Sequence, residues 1–170
     1  MDKIAIMNKA RAKYRLEHEE EIKRQAMSLF EQYKNDPLFI AGIMLYWAEG
    51  KATQRDPWSL ELSNANPELL KLYRRFLTQY LKVDNAKLRA RLFLYPDLDE
   101  SDNKVFWSNL LDVPLAQFNK SYIGNSRSSV TKHKLAHGDV CSLYIARKDL
   151  RMIISIWIDQ FAGFCIKGKV

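Results

Sequence analysis

The chain has 170 residues, of which 47% are apolar and 28% are charged, and its formal net charge is +7. This length suits about one domain with a single sizeable core. No apolar run reaches the roughly 18 residues needed to cross a bilayer, the N-terminus is too charged for a signal peptide, and two cysteines are too few for a disulfide scaffold, so we expect a cytoplasmic protein with no membrane segment.

The first predicted element is a helix over residues 8–34. Ile22, Ala26, Phe30 and Tyr33 recur at steps of three and four residues, which is the spacing of one buried helical face. We expect residues 1–36 to form an N-terminal helical extension and residues 37–170 to form the main domain.

A second helix is predicted from Pro37 to Gly50. Asp36 suits the N-cap, Pro37 the first helical position and Gly50 the C-terminal end. Residues 38–50 carry one charge, Glu49, so this helix is expected to be buried on every side, at the centre of a domain or of an interface. A carboxylate at the C-terminal end opposes the helix dipole, and metal binding is therefore the first function to test.

Two segments with alternating residues predict strands around a third helix. In residues 58–63 the apolar Trp58, Leu60 and Leu62 alternate with Ser59, Glu61 and Ser63. Asn66 is a suitable cap for a helix that runs to about Lys82. Residues 87–95 alternate again, so their cations are expected on the outer face of the sheet. These cations are Lys87, Arg89 and Arg91.

The C-terminal half completes an α+β pattern. We predict a helix over residues 99–111, a long basic loop over residues 119–136, a strand at Val140–Ala146 and a helix over residues 148–161. The order of elements indicates an α+β domain with a small, mostly antiparallel sheet.

The cations are clustered. Residues 71–91 carry seven Lys or Arg against one Asp, and residues 119–134 carry four with no acid. Clustering of one sign favours a polyanionic partner, whereas the alternative is a solvated basic surface.

Residues Phe39–Gly50, with the sequence FIAGIMLYWAEG, resemble the signature helix of LAGLIDADG homing endonucleases and of their non-cutting relatives. The resemblance covers about residues 37–162 and implies an αββαββα core that binds double-stranded DNA as a homodimer. By the same resemblance Glu49 is the catalytic acid, and Glu49 and Gly50 hold Mg²⁺ at the scissile phosphate. The implied dimer interface consists of Ala41, Met44, Leu45 and Ala48. The predicted DNA-binding residues are Lys87, Arg89, Arg91, Ser59, Glu61, Lys120, Arg127, Lys132 and Lys134.

The chain also departs from this family. Trp47 stands where a second acid often precedes the catalytic one, and Met44 stands where a small residue is expected. A Mg²⁺-dependent endonuclease, a non-catalytic DNA-binding regulator of the same fold and a protein-interaction module therefore all stay open.

Three other sets of residues could form functional sites, but ordinary structural roles explain each of them better. His133, His137 and Cys141 have a spacing that zinc ligands use, but a surface loop explains them better. Tyr46 and Trp47 are expected to pack in a core rather than to stack on bases. The acids of residues 97–102 fit a helix start better than a calcium loop, because they lack the EF-hand spacing.

Overall fold

The computed structural model describes residues 3–51, 58–124 and 140–168, with the side chain of residue 167 excepted. The helices are α1 (Lys3–Tyr33), α2 (Pro37–Glu49), α3 (Pro67–Gln79), α4 (Glu100–Leu111) and α5 (Lys148–Lys167). The strands are β1 (Gly50–Lys51), β2 (Ser59–Asn64), β3 (Arg89–Leu94), β4 (Tyr122–Ile123) and β5 (Val140–Ala146). Short 3₁₀ turns lie at Asn85–Lys87 and Leu115–Gln117.

The chain divides into two compact units. One comprises the described parts of Met1–Asp36 and Asp149–Val170, and the other comprises the described parts of Pro37–Lys148. The boundary at residue 36 coincides with the predicted one. Almost all of α5 belongs to the unit of α1, whereas the sequence predicts that residues 37–170 form one domain.

The first unit consists of two parallel helices. The indole Nε1–H of Trp157 in α5 donates a buried hydrogen bond of 2.8 Å to the carbonyl oxygen of Ala26 in α1. Further along both helices, Lys34 Nζ, just past the end of α1, lies 5.6 Å from the ring centroid of Phe164. Because both contacts advance in the same direction along each chain segment, α1 and α5 run parallel.

The second unit contains a five-stranded sheet in the order β1-β2-β5-β3-β4. Every neighbouring pair is antiparallel except β3 and β4, which are parallel. The α+β class and the mostly antiparallel sheet are therefore confirmed, and β5 has the predicted bounds. A helix that the αββαββα pattern lacks, α4, lies between β3 and β4 in the chain.

One face of the sheet forms the core of this unit. The inward residues of β2, β3 and β5 are buried, and α2 and α3 both contact β2. These inward residues are Leu60, Leu62, Ala90, Leu92, Leu94, Cys141, Leu143 and Ile145. The side chain of Asn66 accepts a hydrogen bond from Glu68 N, which confirms the predicted N-cap of α3.

Helix α2 is covered on one side only within the described part of a single copy, so the prediction of burial at the centre of a domain is not met, and burial in an interface stays a prediction. Phe39, Gly42, Ile43 and Tyr46 are buried, but Met44 is 41% exposed. The apolar composition predicts that all sides avoid water, yet the residues that the structure describes cover one side of the helix. Tyr46 packs as expected and stacks on Tyr73 at 6.1 Å between ring centroids. Trp47, in contrast, is 46% exposed, so its predicted place in the core is wrong.

Two details of the predicted strands are also wrong. β3 begins at Arg89, and Lys87 lies before it in a 3₁₀ turn that starts where the side chain of Asp84 caps Ala86 N. Trp58 was expected to face inward with Leu60, but it precedes β2 and is 47% exposed.

Candidate nucleic-acid interface

The second face of the sheet is polar, and strand register brings residues from three strands into rows across it. Glu61 of β2 is opposite Tyr144 of β5, which is opposite Arg89 of β3. The next row is formed by Ser63, Ser142 and Arg91. We call this surface the polar sheet face. Its residues are Lys51, Ser59, Glu61, Ser63, Arg89, Arg91, Phe93, Tyr122, Val140, Ser142, Tyr144 and Ala146.

Glu61 is held in place near the middle of the polar sheet face. The hydroxyl of Ser142 donates a hydrogen bond of 2.6 Å to Glu61 Oε1, and the hydroxyl of Ser63 donates a longer one of 3.4 Å to the same oxygen. A carboxylate that accepts such bonds keeps its second oxygen available to another donor. The face therefore presents a fixed acceptor among its cations.

The two arginines of β3 are positioned differently. Arg89 Nη1 donates to the carbonyl oxygens of Ala86 and Leu88, at 2.8 and 2.7 Å. The guanidinium of Arg91 instead lies 5.6 Å from the ring centroid of Tyr144, and its Nη2 is 3.5 Å from the Tyr144 hydroxyl. The backbone thus engages Arg89, while Arg91 stacks over the polar sheet face and most of its donors meet no acceptor among the described residues.

Aromatic rings occupy the side of the face near β4. Phe93 and Tyr122 pack with 6.1 Å between ring centroids. Lys51 Nζ of the edge strand β1 lies 5.6 Å from the centroid of Phe93, although β2 and β5 lie between β1 and β3. Neighbouring strands are about 4.8 Å apart, and Phe93 also lies four residues along β3 from Arg89, the residue in the row of Lys51. The two side chains are too short to meet across a flat sheet, so this contact requires the polar sheet face to be concave.

Glu49 and Gly50 lie where α2 passes directly into β1. A Cβ atom at residue 50 would be 2.3 Å from the carbonyl oxygen of Tyr46 and 2.7 Å from its ring, so this junction requires glycine. The Glu49 side chain is exposed. Among residues 3–51, 58–124 and 140–168 no group of three His, Cys, Asp or Glu side chains is placed to hold a metal.

The predicted DNA-binding residues are only partly brought together. Glu61, Arg89 and Arg91 share the polar sheet face, and Ser59 lies on the same face but is buried. Lys87, in its 3₁₀ turn, and Lys120 are exposed and lie outside the strands. Arg127, Lys132 and Lys134 lie outside the described residues.

The predicted dimer residues lie on the uncovered side of α2. Pro37, Ala41, Met44 and Ala48 follow one another at steps of four, three and four residues, opposite the buried residues of the helix. Three of these side chains are exposed and Ala41 is half-buried. Leu45, which is half-buried, flanks this stripe.

The remaining predicted sites have simple outcomes. His133 and His137 lie outside the described residues, and Cys141 is buried in β5, where burial raises the pKa of its thiol and keeps it neutral. The side chain of Asp99 accepts a hydrogen bond from Asp102 N as the N-cap of α4, which confirms that these acids begin a helix.

Several residues of the polar sheet face were not predicted. Ser142 and Tyr144 alternate with the buried Cys141 and Leu143, so the alternation within the predicted strand 140–146 would have identified them. Asn119 donates to the Tyr144 hydroxyl, and this contact joins residues 25 positions apart, for which the sequence gives no local signal.

None of the helices within the described residues is long and apolar enough to pass through a membrane. Comparisons of the chain with models of protein families, with curated proteins and with solved structures found no match.

Proposed function

We propose that this protein binds double-stranded DNA through its polar sheet face and that it does so as a homodimer. The observation that carries the proposal is the register of β2, β5 and β3, which collects Arg89, Arg91, Tyr144 and Glu61 on one side of the sheet while the other side is core. A concave polar surface with cations, aromatic rings and one fixed acceptor suits a nucleic acid better than it suits an apolar partner.

The chemistry of these groups supports duplex DNA as the ligand. Lys51, Arg89 and Arg91 outnumber Glu61 on the face, so it is net positive. Cations of this kind contact phosphates and supply affinity, and a free guanidinium also pairs with guanine in the major groove. The fixed carboxylate of Glu61 suits the amino group of cytosine.

The order of elements also supports a LAGLIDADG-like core. From α2 onwards the chain follows α2, β1, β2, α3, β3, β5 and α5, which is αββαββα with α4 and β4 inserted before β5. In this interpretation the uncovered side of α2 packs against α2 of a second copy. The stripe of Pro37, Ala41, Met44 and Ala48 has the heptad-like spacing that such a helix pair uses.

Binding is tested by titrating a labelled duplex into the full-length protein at several salt concentrations. We expect the variant Lys51→Glu/Arg91→Glu to lose duplex affinity, and the wild-type log–log salt slope to reflect about 0.9 per neutralised phosphate. The matched control is Lys71→Glu/Arg75→Glu, which reverses two exposed cations of α3. The proposal is wrong if the control weakens binding as much as the face variant does.

The α2 dimer is tested by light scattering at high salt, where an apolar interface persists and ion pairs are screened. Met44→Arg places a charge in the uncovered stripe of α2 and should give a monomer at that salt. Val105→Arg is the control, because Val105 is 47% exposed on α4. A wild type that is monomeric at high salt, or a high-salt dimer that survives Met44→Arg, would overturn the α2 interface.

Cleavage of DNA is a second candidate, and the exposure of Glu49 at the end of α2 favours it. One chain offers a single carboxylate and the Gly50 carbonyl there, so the donors fit Mg²⁺ only when phosphate, water or a second copy completes the set. When bound, Mg²⁺ would supply charge stabilisation at the phosphodiester. Glu49 would hold the ion, and Gly50 would keep the carboxylate at the helix–strand junction.

A randomised duplex library incubated with the protein and Mg²⁺ separates the candidates. We expect an endonuclease to cut, and Glu49→Gln to abolish cutting while duplex affinity is kept or improved. If the wild type binds but does not cut, the protein is a non-catalytic regulator. If it does not bind duplex, an interaction module remains.

A further inference from the structure

The N-terminal half of α1 is exposed and strongly basic, and it lies outside the surfaces assigned above. Residues 3–16, which we call the basic arm, carry five cations and no acid. Their side chains are exposed apart from the half-buried Ala12. Five large apolar side chains of the arm are also more than half exposed: Ile4, Ile6, Met7, Tyr14 and Leu16.

An acidic segment follows immediately in the same helix. Residues 17–21, which we call the acidic band, contain four glutamates and one histidine. The helix dipole favours acids at the N-terminus, yet the first turn of α1 has none. This distribution of charge therefore does not stabilise α1 as an isolated helix.

Most cations of the basic arm form no ion pair within the described residues. Within the part of the chain that the structure describes, Lys13 pairs with Glu17 at 3.7 Å, and both side chains are largely exposed. Arg24 pairs with Glu21. Lys3, Lys9, Arg11, Arg15 and Glu20 form no ion pair in those same residues.

We propose that α1 pairs in antiparallel orientation with α1 of a second copy of this chain, the basic arm of each against the acidic band of the other. The charge pattern selects both the partner and its direction. A parallel pair would set like charges together, whereas an antiparallel pair centred near Leu16 sets residues 11–15 beside residues 17–21 twice, once on each side of the two-fold axis.

The same arrangement accounts for the exposed apolar side chains. Tyr14 and Leu16 are 71% and 61% exposed and lie at the boundary between arm and band, where the two-fold axis would pass. Residues 3–21 span about 28 Å of helix, which allows several contacts along the pair. Single exposed ion pairs are weak, so the association depends on the repeated pattern and should weaken as salt is added.

Nucleic acid is the competing partner for a basic helix. Phosphates would attract the basic arm, but the acidic band lies directly beside it and would repel them. DNA binding also gives the exposed Tyr14 and Leu16 no role. Pairing with a second copy, in contrast, accounts for the basic arm, the acidic band and these exposed apolar side chains together. The experiment therefore treats DNA binding by the arm as an outcome that overturns the proposal.

The test uses charge exchange in the full chain, in the Met44→Arg background so that the α2 interface does not contribute. We expect the parent to form a dimer that dissociates at high salt, measured by sedimentation velocity. Arg11→Glu/Arg15→Glu and Glu17→Lys/Glu20→Lys should each be monomeric. An equimolar mixture of the two should regain the dimer mass, because the reversed arm of one fits the reversed band of the other. Lys71→Glu/Glu68→Lys, on α3, is the control and should leave the dimer intact.

Three results overturn the proposal. The first is a parent that is monomeric, and the second is a pair of single variants that each keep the parent's mass. The third is a mixture that stays monomeric while each variant retains its helix content by circular dichroism. If Arg11→Glu/Arg15→Glu keeps its mass but loses duplex affinity, the arm binds nucleic acid instead. These measurements of mass do not involve DNA. A result that overturns the α1 pair therefore does not affect the proposal that the polar sheet face binds DNA, which the duplex titration tests.

Discussion

Ser142 and Glu61 join β5 to β2 by a hydrogen bond of 2.6 Å, in which the serine hydroxyl donates to Oε1 of the carboxylate. This bond fixes the only acid of the polar sheet face within the described strands. A fixed negative charge repels phosphates wherever the DNA backbone passes close to it. Removing the negative charge of Glu61 therefore tests how close the DNA backbone comes to this part of the polar sheet face.

We predict that Glu61→Gln binds non-specific duplex more tightly than the wild type. The gain should be about fivefold, or about 1 kcal/mol, which is the interaction of two unit charges 4 Å apart in water. Fluorescence anisotropy at low salt measures it. Ser142→Ala, which keeps the charge and removes the donor, should show no gain. Weaker binding by Glu61→Gln would contradict the prediction and would indicate that the carboxylate accepts a bond from a base.

Arg91 should contribute more to DNA affinity than Arg89. The backbone carbonyls of Ala86 and Leu88 already engage Arg89, whereas Arg91 stacks over Tyr144 with donors that no acceptor in residues 3–51, 58–124 and 140–168 engages. We expect Arg91→Ala to lower the log–log salt slope by about 0.9, the contribution of one phosphate contact. Arg89→Ala should lower it by less. Equal changes in the two variants, each titrated over the same salt range, would contradict this order.

The sequence predicts which residues of each strand point outward, but it does not predict how the strands are ordered in the polar sheet face. Alternation placed Glu61 and Arg91 on outer faces because it is a local property of each strand. Alternation does not tell which strands are neighbours, so the place of β5 between β2 and β3 became known only from the structure. Asp84 caps a 3₁₀ turn that includes Lys87, so β3 begins at Arg89, later than the alternation predicts, and Lys87 lies outside the strand.

Helix α2 shows a second limit of sequence interpretation. Its composition is apolar on every side, which is typical of a helix at the centre of a domain. An apolar side covered by a partner has the same composition as one covered by the chain's own core. Composition alone therefore could not separate Phe39, which is buried, from Met44, which is exposed.

Glu100 should make stability depend on acid pH. The ammonium of Lys104 lies 2.7 Å from Glu100 Oε1 and is the main reason why the pKa of this carboxyl is lowered from 4.5. A lowered folded-state pKa gives stability that is present above the unfolded-state pKa and is lost as the pH falls through the folded-state pKa. Thermal unfolding over this range should therefore show a smaller acid-side loss in Glu100→Gln than in the wild type. Lys104→Gln should show part of this reduction, because Lys104 is the largest of several causes that lower the pKa of Glu100. An unchanged acid-side loss in both variants would contradict the assignment.

The bond from Trp157 to Ala26 should stabilise the unit of α1 and α5. The indole N–H is buried and donates to a helix carbonyl at 2.8 Å, so Trp157→Phe removes a donor together with part of a buried side chain. We expect a loss of about 1–3 kcal/mol in the free energy of unfolding, from the hydrogen bond and the reduced packing. Trp47→Phe, at a position that is 46% exposed, is the control and should stay within about 0.5 kcal/mol of the wild type in urea denaturation. Equal effects of the two substitutions would contradict the role of the bond.

Gly42 should be required for the packing of α2 against α3. A Cβ atom at this position would lie 2.1 Å from Phe76 Cδ2, and the ring is fully buried and cannot move aside. Gly42→Ala should therefore lower the free energy of unfolding by about 1–3 kcal/mol, as overpacking does. Gly163 in α5 is the matched control, because a Cβ atom there meets nothing within 4 Å. Gly163→Ala should instead raise stability by about 0.5–1 kcal/mol through helix propensity. If both variants change the free energy of unfolding in the same direction, contact with Phe76 is not what keeps residue 42 a glycine.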